Sequence, residues 1–268
     1  MFSNPFIARA IVGAVLSGSV LAILSNFIVL RNFAFAGLGI THSLLGGIGI
    51  GIILGIDPTL SAILTALLVG VVIAFITRQG IFSEENAIGI IFPTMMAFGI
   101  LAIAMSKKYS TDLIGYLFGN ILLLTKADMY LMIAFSLIIF LWLFAYFKEL
   151  LFISYSPELA WACGLNTGLH HYMFVIFVSL AVAVASKLVG LVLVSALIVI
   201  PGATSLLFVK DYKAMILVSL IFGLMSTLLG LGLSFSLNAP PGATIVVVAG
   251  LIFFVAFVAK TLLDRKSH

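Results

Sequence analysis

Hydrophobic residues in this chain fall into long runs separated by short polar breaks, with neither strand-like alternation nor the broad polar face of a soluble helix. Nine runs stand out, at about 6–30, 33–55, 59–76, 87–105, 128–147, 169–185, 188–209, 214–236 and 243–259. Crossing ~30 Å of hydrocarbon takes about 20 apolar helical residues, so each run reads as a membrane span. Only Ser186-Lys187 interrupts the sixth and seventh; if Lys187 snorkels or occupies a buried bend, the count falls to eight. The expected fold is an all-α polytopic transmembrane helix bundle of eight or nine spans, with residues 1–268 forming a single transmembrane domain.

Composition agrees: 63% of residues are hydrophobic and 8% charged, against about 25% charged in soluble domains. A net charge of +4 with no basic run gives no footprint for nucleic acid. One cysteine, Cys163, excludes an internal disulfide framework and a cysteine-rich metal cluster. The first run is too long for a signal core and lacks a basic leader, so it reads as a span. If the loop after that span is cytoplasmic, eight basic residues fall inside and five outside. That bias sets the N-terminus outside, the C-terminus in the cytoplasm, and residues 148–168 on the cytoplasmic face of the cell (inner) membrane.

The second run, Phe33 to Gly55, carries one titratable residue, His42. Gly39, Ser43, Gly47, Gly51 and Gly55 recur every fourth residue, a stripe along which another backbone can approach. A charged, unpaired group at membrane depth costs about 2.5 kcal/mol or more, so His42 faces either a watery path or a hydrogen-bonding neighbour. On the path reading, Leu38, Gly39 and Ser43 line the way beside it.

The longest cytoplasmic stretch carries its own helix signals. Ser156 is placed to cap a helix whose first residue is Pro157, Glu158 sits at its positive end, and Gly164 is placed to end it. Such a helix, showing Leu159 and Trp161, suits docking to a soluble partner; the alternative is an interfacial helix with Trp161 among lipid headgroups.

Elsewhere, Pro201 interrupts an apolar run and is expected to kink or break it, a feature that often marks transport sites. Asn120 occupies a polar break in a segment that reads as re-entrant, and Asn238 or a group near it is expected to cap the last span. Asp112 and Asp128 read first as loop-end charges, His170-His171 as an interfacial anchor, and Met95 and Met96 as core filler.

Five ordered blocks carry a family resemblance: SEENAIGIIFPTMMAFGI (83–100), DLIGYLFGNILLLTKADM (112–129), SPELAWACGLN (156–166), SKLVGLVLVSALIVIPGATSL (186–206) and NAPPGATIVVV (238–248). Together they resemble the permease subunit of the ATP-binding-cassette importers for zinc, manganese and iron. The resemblance implies a homodimer of permeases, two ATPase subunits that bind the ATP, and an extracytoplasmic substrate-binding protein. The divalent ion would be cargo, with no cofactor held by this chain.

By the same resemblance, Ser156, Pro157, Glu158, Leu159, Ala160 and Gly164 form the element that couples to the ATPase, and Glu84-Glu85 match an acidic pair at the start of the fourth span. Two departures bear on metal binding. The position one turn before His42, often acidic or histidine in the family, is Leu38, and an aspartate common before the last span is Asn238, which retains only a neutral carbonyl ligand. His42 is thus the main candidate metal ligand and Asn238 a weaker one.

Enzyme classes fit poorly. No glycine precedes a lysine, so no phosphate-binding GxxxxGK[ST] loop is present, and HExxH is absent. The rival is a secondary transporter or channel working without an ATPase, which would be expected to bury more charge for ion coupling.

Overall fold

The computed structural model describes residues 5–105, 119 and 125–266. Twelve helices follow in order: α1 (Pro5–Leu30), α2 (Ala34–Leu54), α3 (Pro58–Arg78), α4 (Glu84–Met105), α5 (Lys126–Ala145), α6 (Phe147–Tyr155), α7 (Pro157–Ala162), α8 (Thr167–Val189), α9 (Leu191–Leu197), α10 (Ile200–Phe208), α11 (Tyr212–Leu237) and α12 (Pro241–Lys266). Counting α9–α10 as one interrupted segment, nine helical segments among the described residues are long and apolar enough to cross a membrane. The all-α polytopic expectation therefore holds. Asn120 and Asp112 lie outside the described residues.

The break between the sixth and seventh spans lies later than Ser186-Lys187. Helix α8 continues through Lys187 to Val189, and the turn is made at Gly190, whose φ of 88° suits a residue without a Cβ. Lys187 is held by an ion pair of 2.7 Å to Asp128, which also forms a reciprocal capping box with Thr125. Asp128 is thereby a structural group at the start of α5. The seventh segment breaks at Ile198–Val199, just ahead of Pro201, which sits in the first turn of α10 where its missing N–H costs nothing.

Helix α2 is the most enclosed span together with α1, and its glycines explain why. A methyl added at Gly46 would stand 2.7 Å from the Met95 carbonyl oxygen of α4, and one at Gly49 2.8 Å from the Gly99 carbonyl oxygen. On another face, Gly47 meets Thr65 and Gly51 meets Ser61 of α3, and Ser61 Oγ donates to the Gly47 carbonyl. The stripe read from the sequence is thus only part of the contact: α2 uses one glycine row against α3 and a second against α4. Membrane helices lack a solvent-driven hydrophobic force between them, so such backbone approaches, with their dispersion and interhelical bonds, hold the bundle.

Helix α1 is pinned to α10 and α11 by a buried polar node. Asn26 Nδ2 donates to Ser219 Oγ at 2.6 Å, and Ser205 Oγ donates to Asn26 Oδ1 at 3.2 Å. Helix α8 closes the centre, with Trp142 of α5 stacked on its Phe177 at 4.2 Å. The remaining faces, with residues such as Phe144 and Phe254, are exposed as expected of lipid-facing surfaces.

Candidate functional site

One face of α2 stays open. Phe35 and Leu38 are 58% and 37% exposed, and His42, one turn further on, is partly buried on the same side. Its ring is fixed from two directions: Nδ1 lies 3.0 Å from the Leu38 carbonyl oxygen, and Phe92 of α4 stands edge-on at 5.2 Å. A carbonyl can only accept, so Nδ1 carries the proton; in the neutral imidazole Nε2 then keeps its lone pair, the form in which histidine ligates a metal.

Gly39 and Ser43 turn inward in the single chain. Gly39 abuts Ile88 of α4, and Ser43 is buried with its Oγ donating to the Gly39 carbonyl at 2.7 Å. They bring α2 and α4 together, while Leu38 and His42 face outward. Pro201 is also buried, toward Gly223 of α11.

Asn238, expected to cap the last span, instead ends α11: its left-handed conformation, φ 51°, turns its N–H onto the Ser234 carbonyl, and it is exposed at the turn into α12. Helix α2 packs instead against α3, α4, α8 and α9, so the fold does not pair Asn238 with His42 as joint ligands within one chain. Among the described residues no group of three His, Cys, Asp or Glu side chains is placed to hold a metal ion. Met95 and Met96 pack against the core. What the open face offers is a single imidazole nitrogen, one donor where a held metal takes several.

At the other candidate region, the sequence signals appear as read. Ser156 Oγ accepts from the Leu159 N–H at 3.3 Å, Pro157 opens α7, and Gly164 takes a φ of 86° where the chain leaves it. Leu159 and Trp161 are 61% and 72% exposed, and Pro157, Glu158 and Gly164 are exposed as well. Ala160 faces the other way and is fully buried. It seats the helix and leaves Glu158 and Leu159 on the outer surface, while Trp161, also exposed, stands at the edge of the cavity beside the arm. A preceding helix not anticipated from the sequence, α6, carries α7 as an arm.

Behind that arm lies a cavity of about 1040 Å³ whose walls include Arg31, Arg78, Glu84, Ser154 and His171. Arg31 Nε donates to Ser154 Oγ at 2.9 Å and its Nη2 to the Leu150 carbonyl at 3.3 Å, both on α6, while its guanidinium sits 4.2 Å from the centre of the Phe174 ring. Burial lowers its pKa to about 10, against the opposing charge of Glu84, so it stays charged at neutral pH. In the sequence Arg31 counted only as an orienting charge.

The histidine pair diverges as adjacent helical residues must. His171 points in, with Nε2 3.2 Å from Thr77 Oγ1 and Nδ1 3.9 Å from Glu84. His170 Nδ1 instead donates to the Asn166 carbonyl at 2.8 Å and its ring meets Tyr146. Glu84 and Glu85 stand in the first turn of α4, where the helix dipole favours negative charge.

Comparison with known proteins brings these features together. The manganese import system permease protein ScaB of Streptococcus gordonii is 36% identical over 210 residues, covering 78% of this chain and 75% of the relative. The manganese transport system membrane protein MntC of Listeria monocytogenes is 33% identical over 252 residues, covering 94% and 90%. The structure of PsaBC from Streptococcus pneumoniae in complex with Fab matches with a TM-score of 0.83 and 34% identity, covering 95% of this chain and 91% of that one. A family model described as the ABC 3 transport family spans residues 3–260, and this chain, a multi-pass membrane protein, belongs to that family.

Proposed function

We propose that this chain is the membrane-spanning permease of an ATP-driven importer for a divalent transition metal, with manganese the first ion to test and zinc and iron next. The exposed, capped helix α7 carries the assignment, because it offers a soluble ATPase a preformed surface on the loop between two spans. Manganese comes first because the ScaB and MntC relatives are named for it. ATP would be bound and hydrolysed by a separate subunit, since this chain lacks the phosphate-binding loop. An extracytoplasmic binding protein would deliver the ion and supply selectivity. The chain itself holds no resident cofactor, and the metal is cargo.

A second permease copy completes the path. The open face of α2 gives one wall, with His42 and Leu38 on it, and a second copy across a two-fold axis supplies the other. Alternating access then follows if the ATPases move α7 and the helices attached to it. The end bearing α6 and α7 is cytoplasmic, where ATP is available, which sets the N-terminus outside and agrees with the excess of basic residues at that end.

Reconstitution with the ATPase subunit tests the function: manganese uptake into proteoliposomes should require ATP, and uptake without any ATPase would favour the secondary-transporter alternative. Cysteines at Ile56 and Lys213 in a Cys163→Ser background should label from opposite sides, Ile56 from outside. Both are exposed or partly exposed ends of spans, and labelling of Ile56 from the cytoplasm would reverse the orientation.

A further inference from the structure

We infer that Arg31 is the positioning residue that transmits movement of the docking arm to the His42 helix. The inference rests on the importer reading and adds to it a specific link between two regions that the sequence presents as separate.

Three observations converge. First, Arg31 grips the arm with directional bonds, to Ser154 Oγ and to the Leu150 carbonyl, within one helical turn of each other on α6. Only Ser156 separates α6 from α7, so from Pro157 the Ser154 acceptor lies three residues back along the chain and the Leu150 acceptor seven, one further turn up α6. The other ties of the arm include ring contacts of Phe147 with Phe27 and Tyr212, which fix proximity but not direction.

Second, Arg31 is rigidly joined to α2. Only Asn32 and Phe33 separate it from the helix start; Asn32 is held in the left-handed conformation at φ 54°, the Phe33 N–H donates to the Ile28 carbonyl at the end of α1 at 2.8 Å, and the Ala36 N–H of α2 donates to the Phe33 carbonyl at 3.1 Å, so the turn carrying Arg31 is bonded to both helices. Phe33 is itself buried against Phe174, the same ring on which the guanidinium rests. From Ala34 to His42 is about 12 Å of helix, so α2 moves with its first turn.

Third, Arg31 and Glu84, the first residue of α4, line the same cavity, where burial raises the carboxyl pKa to about 7 and the guanidinium favours its charged form. Helix α4 is the one packed on the Gly46–Gly49 row of α2, and its Phe92 touches the His42 ring. Arg31 thus leads by chain into α2 and faces the first residue of α4 across the cavity, the two helices that hold the imidazole. Arginine suits the task because one planar group donates in two directions while stacking on an aromatic face; a lysine keeps the charge but not that geometry.

The experiment uses the assembled transporter with its ATPase in proteoliposomes, measuring manganese uptake and ATP hydrolysis in parallel. For Arg31→Ala, uptake per ATP should fall about tenfold or more, within the usual range of coupling between sites, while the ATPase still co-purifies and hydrolyses. Arg31→Lys should restore part of the ratio, and Ser154→Ala should lower it in the same direction. A second readout follows α2 directly: with Phe35→Cys in a Cys163→Ser background, trapping ATP should change the maleimide labelling rate, and Arg31→Ala should abolish that change. Should Arg31→Ala fail to assemble, Ser154→Ala decides, because it removes one acceptor and leaves the arm packed. An unaltered ratio in whichever of these two variants assembles overturns the inference. Failure of the unmodified complex to couple uptake to ATP would instead sink the importer reading itself.

Discussion

His42 Nδ1 donates to the Leu38 carbonyl oxygen at 3.0 Å, and this one bond leaves Nε2 as the nitrogen able to meet cargo. Replacing His42 by alanine removes the nitrogen while keeping Gly46, Gly47 and Gly49 in their seats against α3 and α4. Metal uptake should fall at least about tenfold, in keeping with the effect of losing a group that governs metal affinity. Thermal stability should drop by no more than ~1 kcal/mol, the worth of the edge-on contact with Phe92. A stable His42→Ala protein with normal uptake would show that the imidazole is a packing group.

A carboxylate at position 38 should build a two-ligand site with His42. Leu38 is partly exposed on the open face, one turn before His42, so Leu38→Asp adds a charge without burying it in the bundle. Manganese or zinc should then raise the melting temperature of Leu38→Asp and leave the parent nearly unchanged, because the ion binds the folded form preferentially. Uptake should slow as release becomes harder. Equal metal response in the two proteins would separate Leu38 from the ion path.

Docking is tested on the exposed residues of α7. Leu159→Glu with Trp161→Ala changes two side chains that are 61% and 72% exposed, so the permease should melt as before. Its recovery with the ATPase should fall about tenfold or more, the scale on which a lost aromatic anchor weakens an interface. Ala160→Glu acts differently: that residue has no exposed surface, and a carboxylate forced into its seat should cost several kcal/mol and loosen the arm itself. Recovery of the ATPase at parental levels by the Leu159/Trp161 variant would remove α7 from the interface.

The spans were legible because hydrocarbon thickness imposes a run length, and the α7 cap because serine, proline and glycine each answer a defined backbone need. The turn at Gly190 was displaced from the expected Ser186-Lys187 because a lysine can remain helical when a carboxylate such as Asp128 meets its ammonium. Composition along α6 gave no separate signal, as Tyr146 interrupts the helix without a proline or glycine. The role of Arg31 was hidden for a different reason: its partners Ser154 and Leu150 are more than a hundred residues away, and no local pattern announces a long-range bond. His42 stood out because it is ionisable within an apolar run, yet its tautomer depends on a carbonyl whose position only the helix supplies.

The second glycine row of α2 gives the last prediction. Gly99 of α4 lies against the Leu45 carbonyl and the Gly46 N–H, so close that an added methyl must push backbone, which cannot rotate away as a side chain can. Gly99→Ala should therefore part α2 from α4 and cost about 1–3 kcal/mol, as overpacking does. Gly250 in α12 has open space where its Cβ would stand, so Gly250→Ala should be neutral or stabilise by up to ~1 kcal/mol through improved helix propensity. Because Phe92 rides on α4 and leans on His42, Gly99→Ala should also reduce uptake more than its loss of folded protein explains. Melting curves and uptake per folded molecule for the two variants check both parts. Equal stability of Gly99→Ala and the parent would mean that the two helices can separate without loss, and the tight α2–α4 seam would not be what holds His42 in place.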